Sequence, residues 1–263
     1  MAARAIWKGK LNLGRTNVPV ALYSAVVDRT VRFHILDENS ETRVKQHMVS
    51  PQTNKEVSNE EIQKGYQVEP GVFVILTKEE LEEIQPKPSR DIEILRFVPS
   101  QNVTSLWYDR PYYLGPDGDQ SSYFALTEAL ANQEKEGVVR WVMRGREYTG
   151  ALRSQNNYLM LVTLRHAEEV VPAEALPTPE GGGLDKKELN MARQLVELLE
   201  GVFDPKEFKD EYRERVMEFI EQKAKGKKPR LHAVKSKRAT PSLGAALSKS
   251  IATIKKQKKK IAA

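Results

Sequence analysis

Residues 5–25 read AIWKGKLNLGRTNVPVALYSA and hold two strands with the turn that joins them. From Arg4 onward the side chains alternate. Ala5, Trp7, Gly9, Leu11 and Leu13 fall on one face and Arg4, Ile6, Lys8, Lys10 and Asn12 on the other, which is the period-two pattern of a half-buried strand. Its outer face is basic, so Lys8 and Lys10 are candidate phosphate contacts. Gly14 and Asn17 tolerate the backbone of a turn. Pro19 cannot donate a ladder hydrogen bond, so the second strand is expected to begin at an edge or a bulge.

Outward from this pair, short stretches rich in β-branched and aromatic residues predict further strands. They cover residues 29–36, 42–49, 71–77, 90–98, 138–144, 148–153 and 158–164, after 4–13 and 18–27, a spacing that fits a barrel or a sandwich. Between them, Ser58 with Glu61 and Thr77 with Glu80 place a hydroxyl three residues before a carboxylate, the capping-box signature of a helix start. A longer helix is expected over residues 121–135. The fold class is α+β, mainly β, and residues 1–171 form the β-rich body.

Beyond the proline-rich residues 172–179 and the glycines 181–183 the period changes. Asp185 with Glu188 opens a helix whose Leu189, Ala192, Leu195, Val196 and Leu199 share a face. Asp204, Pro205 and Glu207 supply an N-cap and a first-turn proline for a second helix, with Phe208, Tyr212, Val216, Phe219 and Ile220 at helical spacing. Residues 172–225 are thus a helical pair that either folds back onto the body or pairs with another subunit; periodicity does not separate these. Residues 226–263 are lysine-rich and poor in apolar side chains, a composition that predicts disorder. One amphipathic piece stands apart there, with Leu243, Leu247, Ile251 and Ile254 on one side of a helix from Ser242, suited to DNA, an acidic groove or a membrane surface.

Charge divides the chain in the same place. The net charge is +6, yet no acidic residue follows Glu221, and 14 lysines and arginines do. Removing those 14 from the 42 basic residues leaves 28 against 36 acidic ones, a net charge of −8 over residues 1–222. An acidic body with a basic tail is the asymmetry of a protein that meets a polyanion. There is no cysteine, which excludes disulfides, thiolate metal sites and cysteine nucleophiles. The four histidines, His34, His47, His166 and His232, share no close spacing, so no metal site and no cofactor is expected. No apolar run reaches the length of a membrane span, and no signal-peptide core follows the N-terminus; a cytoplasmic, nucleoid-associated protein without membrane attachment is expected.

The opening stretch also resembles that of the bacterial Ku proteins, through Ile6, Trp7, Gly9, Gly14, Val18, Pro19, Val20, Leu22, Tyr23, Ser24 and Ala25. The resemblance continues in the same order across approximately residues 1–222. It runs through Lys64-Gly65-Tyr66, Arg90-Asp91-Ile92-Glu93-Ile94, Tyr112-Tyr113-Leu114, Arg144-Gly145-Arg146, Ala151-Leu152-Arg153, Thr163-Leu164-Arg165 and Phe203-Asp204-Pro205. It implies a Ku-type β-barrel core with a C-terminal helical arm, forming a homodimeric ring around the end of a broken DNA duplex. It further implies a role in non-homologous end joining, with DNA ligase D as a partner. On this reading Leu195, Leu199, Phe208, Tyr212, Val216 and Phe219 are the candidates for dimer or partner contacts. One departure is clear: several relatives carry Cys-x-x-Cys in the hairpin that here reads His47-Met48-Val49-Ser50-Pro51-Gln52-Thr53-Asn54, so packing and turn chemistry alone must hold it.

Alternation proposes the DNA-binding residues. Arg140, Arg144 and Arg146 are expected on one face, opposite Trp141 and Met143, with Arg153 in the next strand. Arg43 and Lys45, with His47, share a face of their own strand, and Lys255, Lys256, Lys258, Lys259 and Lys260 supply the tail. Each of these arginines, and Lys45, has an alternative reading as the partner of a nearby glutamate, and Lys8 and Lys10 as the outer face of a barrel edge. No recognition helix or zinc-finger spacing is present, so binding without sequence preference is expected. Two rival classes remain. One is a basic-tailed architectural protein that coats DNA without preferring ends. The other is a magnesium nuclease built on Asp109, Asp117 and Asp119, although the phosphate-loop, zinc-protease and hydrolase motifs are all absent and a non-enzymatic protein is expected.

Overall fold

A computed structural model describes residues 4–177 and 185–226, together with 248, 251 and 252. The chain divides into two compact units. Met1–Arg29 and Phe33–Pro172 form one, Thr30–Arg32 and Ala173–Ala263 the other.

The first unit is a closed barrel of seven strands. In chain order these are β1 (Trp7–Leu13), β2 (Thr16–Ser24), β5 (Asp91–Pro99), β6 (Tyr108–Pro116), β7 (Lys135–Met143), β8 (Arg146–Gln155) and β9 (Tyr158–Leu164), and around the barrel they run β1-β2-β6-β9-β8-β7-β5. Every ladder is antiparallel except the last, where β1 pairs in parallel with β5 through Leu11 and Ile92 and closes the circuit. Between β2 and β5 the chain makes a long excursion that carries a separate hairpin, β3 (Lys64–Glu69) with β4 (Val72–Leu76), and a short helix, α1 (Lys78–Glu83).

Inward-facing residues of the seven strands make one core. Leu11, Val18, Leu22, Ile92, Leu114, Val139, Leu152, Leu159 and Leu161 are fully buried in it. Trp7 and Trp141 fit because glycines stand beside them. A Cβ at Gly9 would overlap the Trp7 ring and the carbonyl oxygen of Arg90, and one at Gly150 would lie 2.6 Å from the Trp141 ring. Helix α2 (Gln120–Asn132) starts at Asp119, whose side chain accepts from the Ser121 and Ser122 N–H groups, satisfying donors that a helix start leaves open. It touches β2, β7 and β8, which lie on different sides of the circuit, so it spans one end. Tyr123, Leu126 and Leu130 enter the core from it.

Pro19 sits inside β2, opposite Lys10, rather than at an edge, for a barrel has none. Its carbonyl accepts from the N–H of Asp117, just past the last β2–β6 pair, Val20 with Pro116. The missing donor therefore faces the point where that ladder stops.

The structure corrects several expected elements. Residues 29–36 and 42–49 are not strands; they form only the isolated bridges Leu36 with Arg43 and Val49 with Glu56, because among the described residues no neighbouring strand accompanies them and Asp37 folds a turn by accepting from the Asn39 and Ser40 N–H groups. Arg43, Lys45 and His47 consequently share no strand face. The Glu61 carboxylate accepts from both the N–H and the hydroxyl of Ser58, but the Glu61 N–H donates to the Ser58 carbonyl rather than to its hydroxyl, and β3 begins at Lys64 and leaves no room for a helix. Strands β3 and β6 were not expected over their observed spans.

In the second unit, α3 (Lys186–Leu199) starts at its cap Asp185 as expected. Asp204 and Pro205 open only a single turn of 3-10 helix, and the helix that follows, α4 (Glu211–Ala224), is capped by Asp210. Phe208 therefore lies outside α4, stacked on Phe203 with ring centroids 5.4 Å apart. Of the amphipathic tail helix, Ser248, Ile251 and Ala252 are helical; Leu243, Leu247 and Ile254, with Lys255, Lys256, Lys258, Lys259 and Lys260, lie outside the described residues.

Candidate nucleic-acid interface

The ladder directions decide which side chains meet. Since β2 runs against β1, β5 runs with β1 and β7 against β5, the end of β2, the start of β5 and the β7–β8 turn open on the same end of the barrel. The excursion of residues 25–90 leaves and returns there. Helix α2 lies at the opposite end, because β6 finishes and β7 begins on that side.

Arg144 and Gly145 are the two residues of the β7–β8 turn, with φ of +53° and +72°, the paired left-handed geometry of a tight hairpin whose twist matches its strands. This corrects the expected strand face. Arg144 is a turn residue, and Arg146 pairs with the inward-facing Met143 rather than aligning with Arg140. Arg144 and Arg146 are exposed and make no ion pair among the described residues. Arg110, at the start of β6, joins them at this end; its guanidinium lies 5.9 Å above the Tyr112 ring. Burial raises the Tyr112 phenol, and both Arg110 and Arg144 oppose that rise, so the two charges share one neighbourhood. Lys87, Arg90 and Arg144 also line a cavity of ≈ 590 Å³ beside Trp7 and Glu82. Arg110 escaped the sequence reading because Pro111 follows it and hides the alternation of β6.

Other expected contacts spend their charge within the protein. Lys8 pairs with Asp117 at 2.7 Å, Lys10 with Asp91 at 3.7 Å and Arg140 with Glu93 at 2.8 Å. Arg153 lies 3.5 Å from Glu136, whose side chain is 2% exposed. The Tyr108 hydroxyl donates to the same carboxylate at 2.7 Å, and its phenol is pushed up to about 12, first by burial and then by the bond to Glu136 and that group's charge. A buried carboxylate needs such partners. Arg43 and Lys45 are exposed on the excursion and unpaired among the described residues.

The three carboxylates of the nuclease alternative do not converge. Asp109 sits at the start of β6, where it accepts from the Thr163 hydroxyl, while Asp117 and Asp119 follow its far end and serve Lys8 and the α2 cap. Among the described residues no group of three or more histidine or carboxylate side chains is placed to hold a metal ion, and no helix is long and apolar enough to cross a membrane.

In the second unit Leu195, Val216 and Phe219 are half-buried, and Leu199, Phe208 and Tyr212 are exposed. The Lys223 ammonium lies 5.8 Å over the Phe219 ring.

Comparison with known proteins gives the same architecture a family. The family model of the Ku70/Ku80 beta-barrel domain matches residues 12–191. A protein of Anaeromyxobacter sp., named non-homologous end joining protein Ku, is 38% identical over 97% of this chain and 87% of its own length. Proteins of the same name from Pseudomonas aeruginosa and Archaeoglobus fulgidus are 36% and 34% identical, covering 92% and 85% of this chain and 84% and 89% of their own lengths. With a barrel of this topology and relatives matched over nearly their full length, the chain belongs to the Ku family.

Proposed function

We propose that this protein binds the ends of double-stranded DNA without reading sequence, as a homodimer that holds broken ends for non-homologous end joining and brings DNA ligase D to them. The observation that carries this reading is topological. Arg110, Arg144 and Arg146 stand at the end of the barrel from which the long excursion leaves and to which it returns, so the unpaired cations and the segment able to pass around a duplex belong to one side. Arg43 and Lys45 on the excursion are the second group of phosphate contacts, and the tail lysines add a third. Phosphate contacts position a duplex and carry no sequence information, which agrees with a sequence that shows no recognition-helix or zinc-finger motif. The exposed apolar residues of the second unit, Leu199, Phe208 and Tyr212 among them, are the surface offered to a second subunit or to the ligase.

The test compares the full chain with its Arg110→Glu/Arg144→Glu/Arg146→Glu variant on linear duplex and on relaxed closed circles, by gel shift, with circular dichroism as the folding check. The parent is expected to prefer linear DNA and the folded variant to lose that preference. Equal affinity of the parent for both topologies would favour the coating protein instead, and an unchanged preference in the variant would remove these arginines from the interface. Arg140→Gln, which removes the ion pair with Glu93 and leaves Arg110, Arg144 and Arg146 in place, is expected to weaken binding far less.

A further inference from the structure

The two edges of the β3–β4 hairpin are unlike each other. Strand β3 carries Lys64, Gln67 and Glu69 and is interrupted by a bulge at Val68, the devices by which an edge strand resists pairing with another chain. Strand β4 is Val72-Phe73-Val74-Ile75-Leu76, with no charge, proline, glycine or bulge of its own. Its first four residues are between 48% and 58% exposed. No strand among the described residues pairs with its open edge. A two-stranded hairpin is marginal in water, and an uncharged apolar edge left bare is an aggregation site.

We infer that β4 pairs, antiparallel, with β4 of a second copy of this chain. The inference rests on the homodimer proposed above and names the surface that joins it at the excursion. The occupant follows from the asymmetry of the edges. When two β4 strands pair about a two-fold axis, the product is a four-stranded sheet ordered β3-β4-β4-β3, and both of its outer edges are the charged, bulged β3. Pairing therefore stops at two copies, as an isologous contact requires, whereas a bare β4 edge offered to unrelated strands would not. The apolar strand also lacks the cations that a nucleic acid would need.

Pairing centred on Val74, the middle residue, places Val74 opposite its twin and Phe73 opposite Ile75. Directly opposed residues in an antiparallel ladder have Cα atoms roughly 4.5–5.5 Å apart, inside the range of about 4.4–6.8 Å that a disulfide spans. The chain contains no cysteine, so single thiols report without background. In the full-length protein, Val74→Cys is expected to cross-link to a covalent dimer on mild oxidation, and a mixture of Phe73→Cys with Ile75→Cys to give the mixed dimer. Leu106→Cys, exposed on the barrel unit, is the control and is expected to remain uncross-linked. Light scattering on the same samples before oxidation separates the two ideas. A dimeric mass with no cross-link from any hairpin cysteine, or with equal cross-linking of the control, would overturn the hairpin contact and leave the homodimer standing. A monomeric mass, with or without a short blunt duplex, would overturn both.

Discussion

Gly9 has no room for a methyl group, because its inward face is covered by the indole of Trp7 two residues earlier and by the Arg90 carbonyl of the neighbouring strand. The small residue and the large one form a single packing unit. Gly9→Ala is expected to destabilise the barrel by about 1–3 kcal/mol, the usual cost of overpacking, read as a lower urea midpoint with an unchanged slope. Tyr108 illustrates a different kind of dependence. Its phenol titrates near 12 in the folded chain against about 10 when unfolded. A raised value stabilises the fold fully below the unfolded value, and that contribution is lost as pH climbs from about 10 towards 12. Urea unfolding across this window should show the parent losing stability more steeply than Tyr108→Phe. At neutral pH the variant should be weaker by about 1–3 kcal/mol, because the buried Glu136 loses a donor. Equal slopes would remove the Tyr108–Glu136 bond from the account. At this scale the sequence was a partial guide: the alternation of β1 was legible, while the ion pairs of Lys8, Lys10 and Arg140 were not, since their partners are distant in the chain or on the next strand.

Helix α2 shows how one element finishes a barrel. Its Tyr123 hydroxyl donates to the Leu114 carbonyl at 2.6 Å and accepts from the Leu159 N–H at 2.9 Å, and Leu114 and Leu159 are the terminal pair of the β6–β9 ladder. A side chain from the helix thus extends a sheet. Tyr123→Phe keeps the ring and strands two buried backbone groups, each costing about 1–3 kcal/mol; Phe124, edge-on to Tyr123 at 5.3 Å, is exposed and should tolerate replacement. Hydrogen exchange at Leu159 is the local readout, and protection equal to the parent's would contradict this role. The start of α2 was within reach of the sequence because an Asp-Gln-Ser-Ser run is a cap signal. Composition favours strand over residues 29–36 and 42–49, and composition does not reveal that among the described residues no partner strand lies beside them. Asp204-Pro205 misled similarly: the cap formed, but the helix behind it lasted one turn, and Asp210 restarted it.

For the molecule as a whole, the proposed DNA contact predicts a strong salt dependence. Each phosphate neutralised should contribute about −0.9 to the slope of log affinity against log salt. The Arg110→Glu/Arg144→Glu/Arg146→Glu variant is therefore expected to have a slope shallower by close to three times that amount on linear duplex, measured by fluorescence anisotropy from low to physiological salt. An unchanged slope would place the phosphate contacts elsewhere. What the sequence by itself determined is the local and the cumulative: the alternating β1, the caps Thr77 and Asp185, the acidic body with its basic tail, and a string of motifs that resembles one family. These are properties of near neighbours or of sums, and they survive without knowing the fold. Only the tertiary structure decided which cations are already paired, that Arg110 joins Arg144 and Arg146, and that the excursion departs from their end of the barrel. Those facts follow from strand direction and register, which bring together residues far apart in the chain, and no local pattern carries that information.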